Sequence, residues 1–391
     1  MKGLKMFTRR TLAFAAVLSM ALPSARLVSQ SAAAGPPAAA ARGAAAGAAL
    51  PDRLSDQEFW SLGQSFSEPG GTFHSDNFVS NEGRFQTVIP DLIARAKQNG
   101  FYVGVGPEQN FTYMAALHPR MAFILDIRRG NLQEHLLYKA LFEMSADRVE
   151  FISRLFSRPR PAGVTTASTV DAIFAAVDRE RSTDALYRQN LAAVLDWLTM
   201  HHGWRLSQED RQGIDYIYRS GFFADGPELG YQLTGQGRTP IHPSYADLMV
   251  MKDPSGHQSS YLASEANFAY LKDLEAKNLL VPVVGDFGGP KALRAIGRYA
   301  RTHGTTVSAF YLSNVEQYLE QDGKSEAFCA SVASMPLDAA STFIRSRPNG
   351  RGLAGPLLPA GVGMFWSVLG SMTRETASCS SGHGAGHLTV Y

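Results

Sequence analysis

Cysteine is scarce in this chain of 391 residues: there are two, Cys329 and Cys379, and no Cys-x-x-Cys pair. A cysteine-based zinc site is therefore not expected. In an oxidising compartment the two thiols could form one bridge. They could equally stay free, because sequence does not supply the Cα separation that a disulfide demands. A Gly-x-Ser-x-Gly elbow is also missing, which argues against an α/β-hydrolase nucleophile. Excess charge of one sign is missing as well: 37 basic residues face 35 acidic ones. No clustered basic face of the kind that tracks nucleic acid is expected. The ten histidines are scattered. His201 and His202 are adjacent and cannot easily face one centre from a helix. His383 and His387 sit in a glycine-rich tail that could pick up a divalent metal, but no metal site is assigned there.

No apolar run reaches the ~20 residues needed to span a bilayer. The longest candidate, residues 11–23, follows Lys2, Lys5, Arg9 and Arg10 and precedes small residues. That order is the pattern of a signal peptide over residues 1–25. The context Thr8-Arg9-Arg10-Thr11-Leu12 points to the twin-arginine route, hence to an exported protein, periplasmic or secreted. Without cleavage the same segment would be an N-terminal anchor. Residues 26–53, rich in Ala, Gly and Pro, read as a flexible leader.

What is present is ample core material: 45% of the residues are hydrophobic and 18% charged, a globular composition. Ser55 to Glu58 looks like a helix start. Residues 69–82 are turn-rich and polar. A helix follows over 84–98, then buried-strand candidates at Phe101–Val105 and Met121–Ile127 with a helix between them. Residues 131–156 have helical spacing. Helices with polar joints fill 168–222, and 245–251 is a strand candidate. Ser259–Asn278 is helical, Leu279–Val284 a strand, 290–303 a helix, Thr306–Leu312 a strand, 314–321 a helix and Phe343–Arg345 a last strand. Such alternation predicts a Rossmann-like, mostly parallel α/β sheet over 54–346, with a helical insertion at about 148–240 and a C-terminal tail at 347–391.

The segment 101–131 carries the ligand expectation. Gly104 and Gly106 lie at the carboxyl end of the first strand, where glycine lets backbone approach a ligand. The next helix aims its N-terminal amides at the same crevice. Asp126 ends the second strand 22 positions after Gly104, the spacing at which an acid accepts ribose hydroxyls. The third glycine of a dinucleotide fingerprint is absent, and Glu108 near the loop would repel a pyrophosphate, so NAD and FAD are disfavoured. A tight structural turn with a structural Asp remains the alternative.

Other polar residues follow later strands. Asp286 could accept a substrate proton, hold an amine or cap a helix; Ser313 reads as a cap, with Asn314 and Glu316 beside it. Strand carboxyl ends converge in open α/β sheets, so Asp286 and Asn314 would face the crevice. The loop from His74 to Glu82 could form a lid, pair His74 with Asp76 or Glu82 for acid–base work, or be a solvated loop. Lys139 and Glu143 read as an exposed i,i+4 pair.

The segments HSDNFVSNE, GVGPEQNFTYMAALHPRMAFILDIRRGN, LYKALFEMSADR, VPVVGDFGGPKALRAIGRYA and AFYLSNVEQYL resemble a family of uncharacterised bacterial proteins, often exported, over about residues 54–346. Residues 101–131 also resemble motifs I and II of class I S-adenosylmethionine-dependent methyltransferases. That resemblance implies Gly104 and Gly106 at the methionine end, Glu108 nearby, Asp126 on the ribose, and Asp286, Asn314 or His74 near a methyl acceptor. No later methyltransferase motif is present. The alternatives are an exported binding or scaffolding protein that keeps the crevice and, more weakly, a hydrolase using His74 with Asp76 or Asp286. Export favours the binding protein, since S-adenosylmethionine is made in the cytosol. In each reading the partner is a small molecule.

Overall fold

The computed structural model describes residues 48–233, 242–348 and 365–380. The expected signal segment 1–25, the leader as far as residue 47, and the tail with His383 and His387 lie outside them. Helix α1 (Asp56–Phe66) begins with a reciprocal capping box: Glu58 N donates to Ser55 Oγ at 3.2 Å, and Ser55 N donates to Glu58 Oε2 at 2.7 Å.

Then come α2 (Ile89–Arg95), β1 (Phe101–Gly104), α3 (Gln109–Leu117), β2 (Met121–Asp126) and α4 (Arg129–Met144). Every residue of β1 and β2 is buried, as parallel strands covered on both faces must be. The helical pattern of 131–156 proves to be two helices. Ser145 turns extended after α4, and Asp147 caps α5 (Arg148–Leu155) by accepting from Glu150 N at 2.9 Å.

The insertion continues with α6 (Val170–Arg179), α7 (Asp184–Asp196) and α8 (Gln208–Ile217). Wider π turns extend α7 through Trp197–His201 and α8 through Tyr218–Phe223. The strand expected at 245–251 is instead helix α9 (Tyr245–Val250). A Ser244–Asp247 capping box starts it, a local signal that outweighs the apolar run.

After these come α10 (Glu265–Ala276), β3 (Leu280–Val284), α11 (Ala292–Thr302), β4 (Val307–Ser313), α12 (Val315–Gln321), α13 (Ser325–Ala333), β5 (Thr342–Pro348), β6 (Phe365–Ser371) and α14 (Met372–Thr376). The strand order is β3-β2-β1-β4-β5-β6. The first five strands are parallel, and β6 runs antiparallel to β5. The protein is thus α/β with a mostly parallel six-stranded sheet. The chain direction across the sheet reverses between β1 and β4, which leaves a crevice at their carboxyl ends.

Helices α1 and α11 pack together on one face; α3, α4 and α10 pack on the other, with α8 against α4. Arg129 ties α4 to α8 by a two-pronged bond to Asp210, 2.8 Å on each prong. The segment expected as a tail supplies β6, and Cys329 and Cys379 are bridged with their Cα atoms 5.5 Å apart. Among the described residues no helix is long and apolar enough to cross a membrane.

Lys139 and Glu143 do pair, at 2.9 Å, but inside the protein, with side chains 1% and 5% exposed. The sheet and α10 enclose α4, so even its i,i+4 pair is buried. Two carboxylates compete for this one ammonium, the second being Glu275 at 3.8 Å. Burial pushes Glu275 up to about 8. Glu143 resists its own burial because His202 bonds it at 2.7 Å beside the Lys139 charge, which together bring it down to about 2.

Candidate functional site

The carboxyl ends of β1, β2, β3 and β4 open onto one cavity of about 520 Å³. Val105–Pro107, Asp126–Arg128, Asp286 and Tyr311 contribute its floor, and the loop from Thr72 to Glu82 closes it from above. Of the residues expected from sequence, His74, Gly106, Asp126, Asp286 and Asn314 line it. Gly104 and Glu108 do not.

Gly104 corrects the ligand-approach expectation. A Cβ on it would fall 1.9 Å from Asn110 Oδ1 and 2.9 Å from the Tyr102 ring. The missing side chain makes room for Asn110, not for a ligand. Asn110 Nδ2 in turn donates to the carbonyls of Val105 at 2.8 Å, Gly106 at 3.2 Å and Pro107 at 2.8 Å, while its Oδ1 accepts from Tyr102 OH at 2.9 Å. This amide shapes the turn from below. Sequence reading passed over it, although it follows the glycines at one helical turn. Gly106 is held at φ +75°, a conformation suited to glycine.

Glu108 is also corrected. It is fully buried, and its carboxyl group accepts from Ser80 N at 3.2 Å. Burial pushes it up to about 8. It fastens the roof loop to α3 and does not face the cavity.

Behind the turn, one face of α4 presents Asn131, Glu134 and His135, each at most 1% exposed. His135 Nε2 lies 2.9 Å from the Gly106 carbonyl. The Asn131 amide, both Glu134 oxygens and His135 Nδ1 have no hydrogen-bond partner among the described residues. Burial drives Glu134 well above the usual carboxylate range and His135 down to about 4, so it favours the neutral form of each.

Asp126 is 5% exposed. Its Oδ1 accepts from Arg128 N at 2.8 Å and its Oδ2 from Arg128 Nη2 at 3.1 Å. Arg128 also donates to the carbonyl of Asp76, joining floor to roof. Asp286 is not the cap of α11. Glu68 takes that role, accepting from Lys291 N at 2.6 Å and Ala292 N at 2.7 Å. Asp286 stabilises its own turn through Gly288 N at 2.8 Å and pairs with Lys324 at 2.7 Å. Nor does the Ser313 side chain cap α12. Ser313 is left-handed at φ +49° and directs its hydroxyl to Glu82; Asn314 stands at the cap position without a side-chain cap bond.

His74 packs on Phe73 and Tyr318, with ring centroids 4.1 and 5.9 Å away. The expected acid–base pair does not form, since both carboxylates are engaged elsewhere. Asp76 accepts from Tyr216 OH at 2.9 Å. Glu82, a cavity-lining residue only 1% exposed, takes four hydrogen bonds, none of them from His74.

The insertion supports this roof from outside. Tyr216 belongs to α8, and Ser75 Oγ donates to the Gln232 carbonyl at 2.7 Å. Among the described residues none from the insertion lines the cavity, and no group of three His, Cys, Asp or Glu could hold a metal. The chain matches no curated protein. A family model does match, over residues 77–357, which takes in every strand that opens on the cavity. By that match the chain belongs to the family described as Domain of unknown function (DUF7790).

Proposed function

We propose that the cavity binds a small ligand of the S-adenosylmethionine type and that the protein is methyltransferase-like. The observation that carries this reading is the convergence of Gly106, Asp126, Asp286, Asn314 and His74 around one space at the β1/β4 reversal. A cavity of about 520 Å³ suits a ligand of that size. An antiparallel strand beside β5 is compatible with a methyltransferase-like sheet. The turn suits a phosphate poorly, since Pro107 has no N–H to offer.

The residues fit the group in a specific way. Each Asp126 oxygen accepts one bond from Arg128, which leaves acceptor capacity for ribose hydroxyls. Gly106 leaves room at the methionine end. S-adenosylmethionine, when bound, supplies an electrophilic methyl group. The protein's part is to position an acceptor in line with it. Asp286, Asn314 and His74 also line the cavity and are the residues assigned to the acceptor in this reading.

A second reading, an exported binding protein without transfer chemistry, has two observations in its favour. Arg128 already neutralises Asp126. The Cys329–Cys379 bridge suits an oxidising compartment, periplasmic or extracellular, where S-adenosylmethionine is not made.

Thermal unfolding of the protein with and without S-adenosylmethionine and S-adenosylhomocysteine tests the first reading. A ligand at ~100 times its dissociation constant adds roughly 2.7 kcal/mol. A shift that disappears in Asp126→Ala supports the adenosyl site. A folded protein that shifts with neither compound removes it and leaves the second reading.

A further inference from the structure

We propose that the cavity selects a ligand bearing a permanent positive charge without donor hydrogens, a sulfonium or quaternary ammonium, and that Glu82 reads that charge. The inference rests on the cavity being the ligand site.

Glu82 Oε1 accepts from Tyr311 OH at 2.7 Å and Ser313 Oγ at 2.7 Å; Oε2 accepts from Gln109 Nε2 at 2.9 Å and Ser367 Oγ at 3.1 Å. A carboxylate has about four acceptor positions, so the protein fills them all. All four donors are neutral. They solvate the charge without cancelling it, and no Lys, Arg or His pairs with Glu82 among the described residues. The other acids of the cavity differ. Asp126 has Arg128 at 3.1 Å, while Asp286 and Asp322 share Lys324 at 2.7 and 3.3 Å. Buried carboxylates are rarely left without a cation. Here one lines a cavity built to admit something.

The filled lone pairs decide which cation fits. A primary ammonium or guanidinium entering a desolvated site needs acceptors for its own N–H groups, and Glu82 has none to spare. A sulfonium or quaternary ammonium needs only the field. Phe73, Phe287, Tyr311 and Tyr318 also line the cavity, and aromatic faces are the usual partners of such cations. An anionic ligand would meet the uncompensated Glu82 and is excluded by the same charge.

Two matched pairs of probes, followed by isothermal titration calorimetry, test this. S-adenosylmethionine and S-adenosylhomocysteine differ by the charged methyl group. Choline and 3,3-dimethylbutan-1-ol share a shape and differ by the charge alone. The charged member of a pair should bind at least about tenfold tighter, and Glu82→Gln should bring that ratio close to one. Preference within the choline pair, with no adenosyl binding, keeps this inference and sinks the methyltransferase-like reading. Equal binding of the two adenosyl compounds keeps that reading and overturns this inference. A preference that survives Glu82→Gln overturns the role of Glu82. Silence from both pairs overturns both proposals. If Glu82→Gln does not fold, the wild-type ratios still decide, and equal affinity within each pair that binds overturns the proposal.

Discussion

His135 Nε2 sits 2.9 Å from the carbonyl oxygen of Gly106, so helix α4 braces the turn after β1 from behind the cavity. Burial holds this imidazole down to about 4 against its usual 6.5. A depressed pKa means that the fold requires the neutral ring. Its contribution is complete above pH 6.5 and is lost as pH falls toward 4. His135→Gln should unfold less steeply than wild type across that window. It should also cost about 1–3 kcal/mol at pH 7, since a buried carbonyl loses part of its bonding. Urea titrations at pH 7, 5.5 and 4.5 give both quantities.

Glu108 works in the opposite direction. Its carboxyl group is pushed up to about 8 by burial, from the usual 4.5. A raised pKa means that the fold prefers the protonated form, so stability is fully present below pH 4.5 and drains away as pH rises toward 8. Glu108→Gln keeps an acceptor for Ser80 N and removes the titration. The variant should gain on wild type by up to about 4 kcal/mol between pH 5 and pH 8. Parallel stability curves for the two proteins would disprove the assignment.

The two glycines of the turn should respond unequally to alanine. At Gly106 a Cβ meets nothing nearer than Asn77 Nδ2 at 3.6 Å, so the cost is the positive φ, about 1–2 kcal/mol. At Gly104 the Cβ lands 1.9 Å from Asn110 Oδ1, and Asn110 must release three carbonyls. Gly104→Ala should therefore lose more than about 3 kcal/mol. Melting temperatures of the two variants check the ranking.

The Cys329–Cys379 bridge spans 50 positions. Chain-entropy reasoning gives such a loop roughly 4 kcal/mol of stabilisation. Cys329→Ser with Cys379→Ser should lower the urea midpoint accordingly, and a reductant should do the same to wild type alone. A double variant as stable as the parent would show that the bridge adds nothing to stability.

The floor of the site was legible because it follows from topology. Once β1 to β4 run parallel, Asp126, Asp286 and Asn314 fall at one edge whatever else the chain does. The partners of those residues were not legible. That Glu68 caps α11 and that Ser313 serves Glu82 depend on contacts across more than 200 residues, and the Asp286–Lys324 pair on one across 38. Local spacing misled for Lys139 and Glu143, because an i,i+4 pair looks the same on an exposed helix and an enclosed one. β6 was missed for a related reason. Residues 365–371 show no strict alternation, and most of them are only partly buried at the sheet's edge.

The hydroxyl that Ser367 gives to Glu82 crosses 285 positions of chain. While the ribosome still holds β6, β5 is an unpaired edge and the roof carboxylate is one donor short. A nascent chain can thus close most of its core and still lack the full hydrogen-bond shell of this carboxylate. The fourth donor to Glu82 therefore comes late, only when β6 zips onto β5.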